Sequence, residues 1–146
     1  MNLFGVLEIS GSALTAERQR AEVVTSNLAN ADTTRTPEGG PYKRMQVVFG
    51  AKPLQGVDFP QTLVSLEDTQ AQGVAVDGVL ADNTPPIRRF DPGHPDANPQ
   101  GYVLYPNVNP AEEMVDLMGA ARSYDLNTSA IQATKTMIQS SINILQ

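Results

Sequence analysis

The distribution of proline along this chain limits what each part of it can fold into. All 11 prolines lie between Pro37 and Pro110, and eight of the 11 glycines lie between Gly39 and Gly101. Proline breaks helix interiors and glycine weakens them, so long helices are confined to the two ends and the middle must be rich in turns. The expected segments are residues 1–34, 35–108 and 109–146.

The N-terminal segment carries an apolar residue at every seventh position. This heptad series consists of Leu7, Leu14, Ala21 and Leu28. Such a repeat predicts an amphipathic helix, here from about residue 3 to about residue 30. The polar residues Ser10 and Glu17 interrupt a second stripe, so the apolar seam of this helix is narrow.

The C-terminal segment carries two heptad series. The first is Leu117, Tyr124, Ile131, Ile138 and Leu145, and the second is Met114, Ala121, Thr128, Lys135 and Ile142. Asn109 is a good helix-capping residue and Pro110 suits the first helical position, so a helix is predicted from about residue 110 to about residue 145. At about 1.5 Å per residue, this helix would be about 50 Å long.

Neither helix can bury its apolar stripe alone, and the shared repeat predicts that the two ends pack together as an antiparallel coiled coil. The stretch from Thr136 to Gln146 has no charged residue, although a solvated helix face normally carries Lys, Glu or Arg. Uncharged polar residues can be covered by protein at lower cost than charges. Lateral packing between subunits is therefore favoured over the alternative, an ordinary two-helix core. The predicted assembly seam consists of Leu7, Leu14, Ala21, Leu28, Leu117, Tyr124, Ile131, Ile138, Ile142 and Leu145.

The middle segment contains short β-like runs separated by turn signals such as Asp77–Gly78. The predicted strands are Tyr42–Phe49, Val74–Leu80, Ile87–Phe90 and Tyr102–Tyr105. A segment of this size can form a small β-rich domain or an ordered loop that depends on its neighbours for stability. The predicted fold class is therefore α+β, with two long terminal helices and a β-rich middle.

Charge and cysteine content exclude several classes of function. The net charge is −6 and the ten basic residues are scattered, so neither nucleic acid nor an anionic membrane is an expected partner. Without cysteine there can be no disulfide, thiolate nucleophile or zinc–thiolate site. No stretch approaches the roughly 20 apolar residues of a membrane span. The first residues lack the pattern of a cleavable secretory signal, so any export is expected to use another route.

His94 is the only histidine, and it lies between Asp91 and Asp96 in a proline-rich stretch. A hydrolase using these three residues is the enzymatic alternative. Carboxylates in such turns more often cap backbone amides, and a metal site would need further ligands. The sequence contains no GxSxG nucleophile elbow and no GxGxxG or GxxxxGK[ST] phosphate loop. We therefore expect no catalytic residue, metal, cofactor or small-molecule substrate.

Several motifs resemble the flagellar rod and hook axial proteins. The N-terminal signature of that family is matched by SNLANADT, in which the NxAN element begins at Asn27 and ends at Asn30. The extension TTRTPEGGPYKR, from Thr33 to Arg44, narrows the resemblance to the proximal rod. Two further matches are DPGHPDANPQGYVLYPNVNPAEEM and RSYDLN, whereas residues 51–72 match poorly. Asparagine tolerates the left-handed conformation at helix ends, so Asn27 and Asn30 are predicted to stop the first helix.

The resemblance implies a structural protein that is required for motility and has no enzymatic activity. Its terminal helices would pair as a coiled coil lining the inner tube of the flagellar axis. Copies would assemble with one another and with other rod proteins into a periplasmic drive shaft that passes torque outward from the membrane-embedded base ring. The resemblance also implies export through the flagellar type III apparatus, without a cleavable signal.

Overall fold

The computed structural model describes residues 3–53 and 72–144. A helix, α1 (Leu3–Ala29), is followed by strands β1 (Met45–Pro53), β2 (Gln72–Ala81), β3 (Ile87–Phe90) and β4 (Tyr102–Tyr105), and then by a second helix, α2 (Pro110–Ile144). This architecture confirms the predicted α+β class. None of the described helices is long and apolar enough to cross a membrane.

Asparagine side chains form hydrogen bonds with the backbone at the end of α1 and at the start of α2. The side-chain amide of Asn30 donates to the Ser26 carbonyl at 2.9 Å, in addition to the Asn30 backbone amide at 3.1 Å, and so reinforces the last turn of α1. At the start of α2, the Asn109 side chain accepts a hydrogen bond from the Ala111 amide at 3.1 Å. The predicted cap at Asn109 is therefore confirmed, and Pro110 occupies the first helical position.

The helices pack against each other in opposite directions. Arg20 of α1 meets Asp116 of α2 at 3.3 Å, and Asn27 meets Glu113 at 3.0 Å, so partner numbers fall along α2 as they rise along α1. This arrangement confirms the predicted antiparallel pairing. The buried residues of the pair are mostly small or polar, namely Ser10, Ala16, Val24, Asn27, Glu113, Ala120 and Thr134.

The buried residues of α2 show the predicted heptad spacing, but they belong to neither predicted heptad series. Glu113, Ala120 and Thr134 are buried and are separated by seven and fourteen residues. The second heptad series, which begins one residue later at Met114, is instead exposed at Met114 and at Ile142. Ala120 and Thr134 are small enough to fit between two packed helices, whereas Glu113 is buried through its hydrogen bonds with Asn27 and Arg44.

Two separate two-stranded sheets lie between the helices in sequence. β1 pairs antiparallel with β2, with a register shift between Val48 and Phe49, and both strands contact α1. The Ser12 hydroxyl of α1 accepts from the Val74 amide at 3.0 Å. β3 pairs antiparallel with β4 and contacts no other helix or strand in the part of the chain that is described. The second sheet therefore projects from the helix pair.

Candidate functional site

The predicted seam residues of α1 lie along the edges of the helix contact. Leu7, Leu14, Ala21 and Leu28 are all half-buried. The buried centre of the contact is formed by other residues of α1, such as Ala16 and Val24. The predicted seam residues therefore keep accessible surface that a further chain could cover.

The predicted seam residues of α2 are accessible to different degrees. Leu117, Ile131 and Ile138 are half-buried, whereas Tyr124 is 43% and Ile142 is 53% exposed. Leu145 lies outside the described residues. Tyr124 and Ile142 are thus open to solvent, whereas the other described seam residues of both helices are partly covered.

The side of α2 that faces away from α1 has an apolar surface that the heptad patterns did not indicate. Val115, Met118 and Leu126 are all exposed there, and Met137 is exposed further along the helix. None of these four residues falls in either heptad series. The signal available in the sequence was the number of apolar residues left over once both series had been assigned.

The outward side of α1 is different in character. Its exposed residues are mainly polar or charged and include Glu8, Thr15, Arg18, Gln19 and Glu22. Arg18 and Glu22 form an exposed ion pair at 3.0 Å, one helical turn apart. Such a face is compatible with water, whereas large exposed apolar patches mark sites of interaction. The apolar face of α2 is therefore the stronger candidate for contact with other protein.

A buried polar junction joins the helix pair to the first strand. Glu113 is 0% exposed and Asn27 is 1% exposed. The Asn27 amide nitrogen donates to a Glu113 carboxylate oxygen at 3.0 Å and to the Met45 carbonyl at 2.8 Å. Its carbonyl oxygen accepts from the Met45 amide at 2.9 Å and from the Tyr42 hydroxyl at 3.0 Å. Asn27 thus fixes the point where β1 leaves the helices.

Arg44 balances the buried charge of Glu113. Its guanidinium donates to the second Glu113 carboxylate oxygen and also lies 3.5 Å from Asp116. The hydrogen bond with Glu113 raises the pKa of Arg44 above its ordinary value, although burial opposes the shift. A buried carboxylate needs such a partner, since an isolated charge away from water is costly.

The cluster around His94 is occupied by local contacts. The imidazole Nδ1 accepts from the Asp96 amide at 3.1 Å, and an Asp96 carboxylate oxygen accepts from the Thr34 hydroxyl at 2.8 Å. The His94 ring packs edge-on against Tyr105, with ring centroids 6.0 Å apart. Within the described ranges, no group of three or more His, Cys, Asp or Glu residues is placed to hold a metal ion.

Comparison with known proteins matches both ends of the chain to flagellar families. Residues 7–35 match the family described as flagella basal body rod protein, and residues 100–144 match the C-terminal family of the flagellar basal body rod FlgEFG proteins. The chain is 38% identical to the flagellar basal-body rod protein FlgC of Borreliella burgdorferi, over 100% of this chain and 99% of the relative. It is 41% identical to FlgC of Bacillus subtilis over 99% of both chains. The identity to FlgC of Escherichia coli is 38% over 100% of both.

Proposed function

Because the chain belongs to the FlgC family of flagellar basal-body rod proteins and is a structural rod subunit, we propose that it assembles into the proximal part of the periplasmic rod. In this role it joins the membrane-embedded base ring to the more distal rod and transmits torque outward. Its partners are further copies of itself and other rod proteins. The hydrolase alternative built on His94 is set aside, since the family is structural rather than enzymatic.

The apolar outer face of α2 is the observation that best supports assembly. Val115, Met118 and Leu126 expose apolar surface along one long helix whose opposite side already packs on α1. Burial of apolar surface contributes about 25 cal/mol for each Å² removed from water, so neighbouring chains gain free energy by covering this face. We therefore expect this apolar face to be buried only when the subunit is assembled with neighbouring chains.

The predicted seam is retained within this proposal. Its half-buried residues, among them Leu14 and Ile131, flank the helix contact and are accessible to a second helix pair. The uncharged residues that begin at Thr136 extend the same surface towards the C-terminus. In the assembled rod, the segments 1–34 and 109–146 then form the coiled-coil core, and the segment 35–108 packs on it through β1 and β2.

We also infer that the chain is exported unfolded through the flagellar type III apparatus, without a cleavable signal. The absence of cysteine supports this route, because no disulfide can hold a folded form together before export. Among the described residues, few apolar side chains are buried, and they include Val24, Val103 and Ala120. Such a small core is consistent with a chain that unfolds readily.

Substitution of Met118 by Asp tests the assembly proposal. Met118 is exposed in the isolated chain, so its replacement should leave the soluble protein helical. In a packed interface, the new carboxylate loses its water and costs several kcal/mol per subunit. We expect normal expression, absence of the variant from isolated basal bodies, and loss of motility.

Substitution of Gln19 by Asp is the matched control, because Gln19 is exposed on the polar side of α1. This variant should enter rods and support swimming. Normal rods containing the Met118→Asp chain would show that the outer face of α2 is not covered during assembly. The measurement is quantification of tagged chain in purified basal bodies, together with swimming in soft agar.

A further inference from the structure

The projecting sheet presents an exposed patch of apolar, aromatic and basic side chains. In the register of β3 and β4, Phe90 lies opposite Tyr102 and Arg88 lies opposite Leu104. Directly paired residues and alternate residues along a strand share a face, so these four side chains form one surface, which we call the hairpin patch. All four are exposed.

Internal contacts preorganise the hairpin patch. The Phe90 and Tyr102 rings meet edge to face, with centroids 5.3 Å apart. The guanidinium of Arg88 stacks over the Tyr102 ring at 5.1 Å from its centroid. Neither Arg88 nor its neighbour Arg89 forms an ion pair with any carboxylate of the described residues. The patch therefore holds a fixed cation in an apolar setting and lacks an anionic partner.

A surface of matching character lies on α2. The helix patch consists of the exposed residues Val115, Met118, Arg122, Asp125 and Leu126, which share the side of α2 turned away from α1. It spans about 17 Å along the helix axis, which is enough to receive the roughly 10 Å length of a four-residue strand. The Asp125 carboxylate forms no ion pair within the part of the chain that is described.

We propose that the hairpin patch of one copy docks on the helix patch of the next copy in the rod, an inference that rests on the proposed function. Arg88 pairs with Asp125 of the neighbouring copy, and the rings of Phe90 and Tyr102 cover Met118 and stack on Arg122. Charge complementarity favours this placement, because Arg88 and Asp125 both lack an ion-pair partner among the described residues and each can supply the other's.

The two patches cannot satisfy each other within one chain, because β3 and β4 contact neither helix among the described elements. A contact between two different surfaces of identical subunits is heterologous. Repetition of a heterologous contact that does not close into a ring generates an open helix. The proposed contact therefore gives the assembly a direction of growth along the rod. It also buries the helix patch of each copy under the hairpin patch of its neighbour.

Cysteine cross-linking tests this contact cleanly, since the chain has no cysteine of its own. A tagged chain carrying both Arg88→Cys and Asp125→Cys should enter rods and, on mild oxidation of isolated basal bodies, give a ladder of dimers and larger oligomers. Each single variant should give no dimer, because each contact needs one cysteine of each kind. The matched control pairs Arg88→Cys with Glu22→Cys, which is an exposed acidic position on α1, and should give no ladder.

A charge exchange provides a second test that does not depend on cysteine. Arg88→Asp should abolish swimming, and adding Asp125→Arg to the same chain should restore it.

Rods that contain the double-cysteine chain but give no ladder would show that the proposed contact is wrong, and would leave the proposed rod function unaffected. If the cysteine variants do not enter rods, the charge exchange decides, and either normal swimming of Arg88→Asp or failure of the rescue overturns the contact. Absence of the tagged parental chain from basal bodies would overturn the proposed function itself.

Discussion

Asn27 joins three parts of the chain through a single side chain. Its amide nitrogen has two hydrogens, which are donated to Glu113 and to the Met45 carbonyl. Its carbonyl oxygen accepts from the Met45 amide and from Tyr42. All four of its hydrogen-bonding positions are therefore used. A fully satisfied buried network fixes one geometry, since any shift of the strand leaves polar groups unpaired.

The first prediction concerns the carboxylate at the centre of this junction. Replacement of Glu113 by Ala removes an acceptor from Arg44 and from Asn27. The buried Asn27 amide is left one acceptor short, and the half-buried Arg44 keeps only its contact with Asp116. We expect the free energy of unfolding to fall by about 3 kcal/mol, as for other broken buried pairs. The measurement is urea unfolding followed by circular dichroism. Glu112→Ala, at an exposed neighbouring position, is the control, and an equal loss in both variants would contradict the role of the junction.

The second prediction concerns Asp82. Hydrogen bonds from the Thr84 hydroxyl and from the Thr84 amide lower the pKa of Asp82 below its ordinary value. The charged form is thus favoured in the folded chain, so its stabilising effect is present above the ordinary carboxyl pKa and is lost as pH falls through the lowered one. Thr84→Val removes the hydroxyl only and should move the pKa of Asp82 partway back up in an NMR titration. Thr84→Ser keeps the hydroxyl and should preserve the low value; equal pKa values in the Val and parental chains would count against this origin.

Local features of single residues were predictable, whereas distant contacts were not. Asn109 followed by proline is a local capping signal, and its hydrogen bond to Ala111 spans two residues. The Asn27–Glu113 hydrogen bond spans 86 residues and depends on the register of two helices. The sequence motif therefore indicated that Asn27 matters near the end of α1, but only the folded chain shows it binding α2 and β1.

At the scale of elements, the helices and the short strands agreed most closely with expectation. β3 and β4 have the predicted bounds, because proline and turn residues bracket each of them. β1 was predicted from Tyr42 but begins at Met45. The Tyr42 amide donates to the Thr33 carbonyl at 3.0 Å, so this part of the chain closes a turn before the strand begins.

The heptad spacing of the helices was easier to predict than the residues that are buried between them. A heptad repeat in Leu117 and Ile131 identified α2 as a packed helix, yet the most buried positions are Ala120, Thr134 and Glu113. A prediction from hydrophobicity alone assigns the deepest burial to the large apolar side chains. Packing of two helices instead favours small residues such as Ala120 and Thr134 between them, and Glu113 is buried because Asn27 and Arg44 supply its hydrogen bonds.

The third prediction concerns the turn that shapes the projecting sheet. Gly101 has φ of +80°, and a methyl group there would come within 2.8 Å of the Phe90 ring. Gly101→Ala should therefore destabilise the β3–β4 pair by about 1–3 kcal/mol. NMR cross-strand contacts between Phe90 and Tyr102 should weaken. Gly93→Ala is the control, because an added methyl group meets only a carboxylate oxygen of Asp91 at 3.9 Å; an equal effect of both substitutions would refute the strain argument.

At the scale of the whole molecule, the described chain has little apolar core for its length. The buried apolar residues of the helix pair, Ala16, Val24 and Ala120, are small, while Val115, Met118 and Leu126 remain exposed. A domain with this distribution gains much of its stability from partners, since marginal stability leaves little reserve in the free subunit. Weak folding before assembly and rigidity after it are both consistent with a rod subunit that is exported first and built in afterwards.

The last prediction links this marginal stability to export. Ala16 and Ala120 are both buried in the helix pair. Ala16 lies about one turn before Arg20, and Ala120 lies about one turn after Asp116. Because the helices are antiparallel and Arg20 contacts Asp116, Ala16 and Ala120 are expected to face each other. Replacing both by Cys allows an oxidant to lock the helices together in a chain that has no other thiol. A channel that admits only unfolded chains should reject the locked form.

Export assays on inverted membrane vesicles would measure this directly. We expect the reduced double variant to be transported like the parental chain, and the oxidised form, identified by its shifted mobility on a non-reducing gel, to remain outside. The Ala16→Cys single variant controls for oxidation itself, because it cannot form an intrachain bond. Equal transport of the locked and reduced chains would show that the helix pair need not open, and that the weak core of the free subunit serves assembly rather than export.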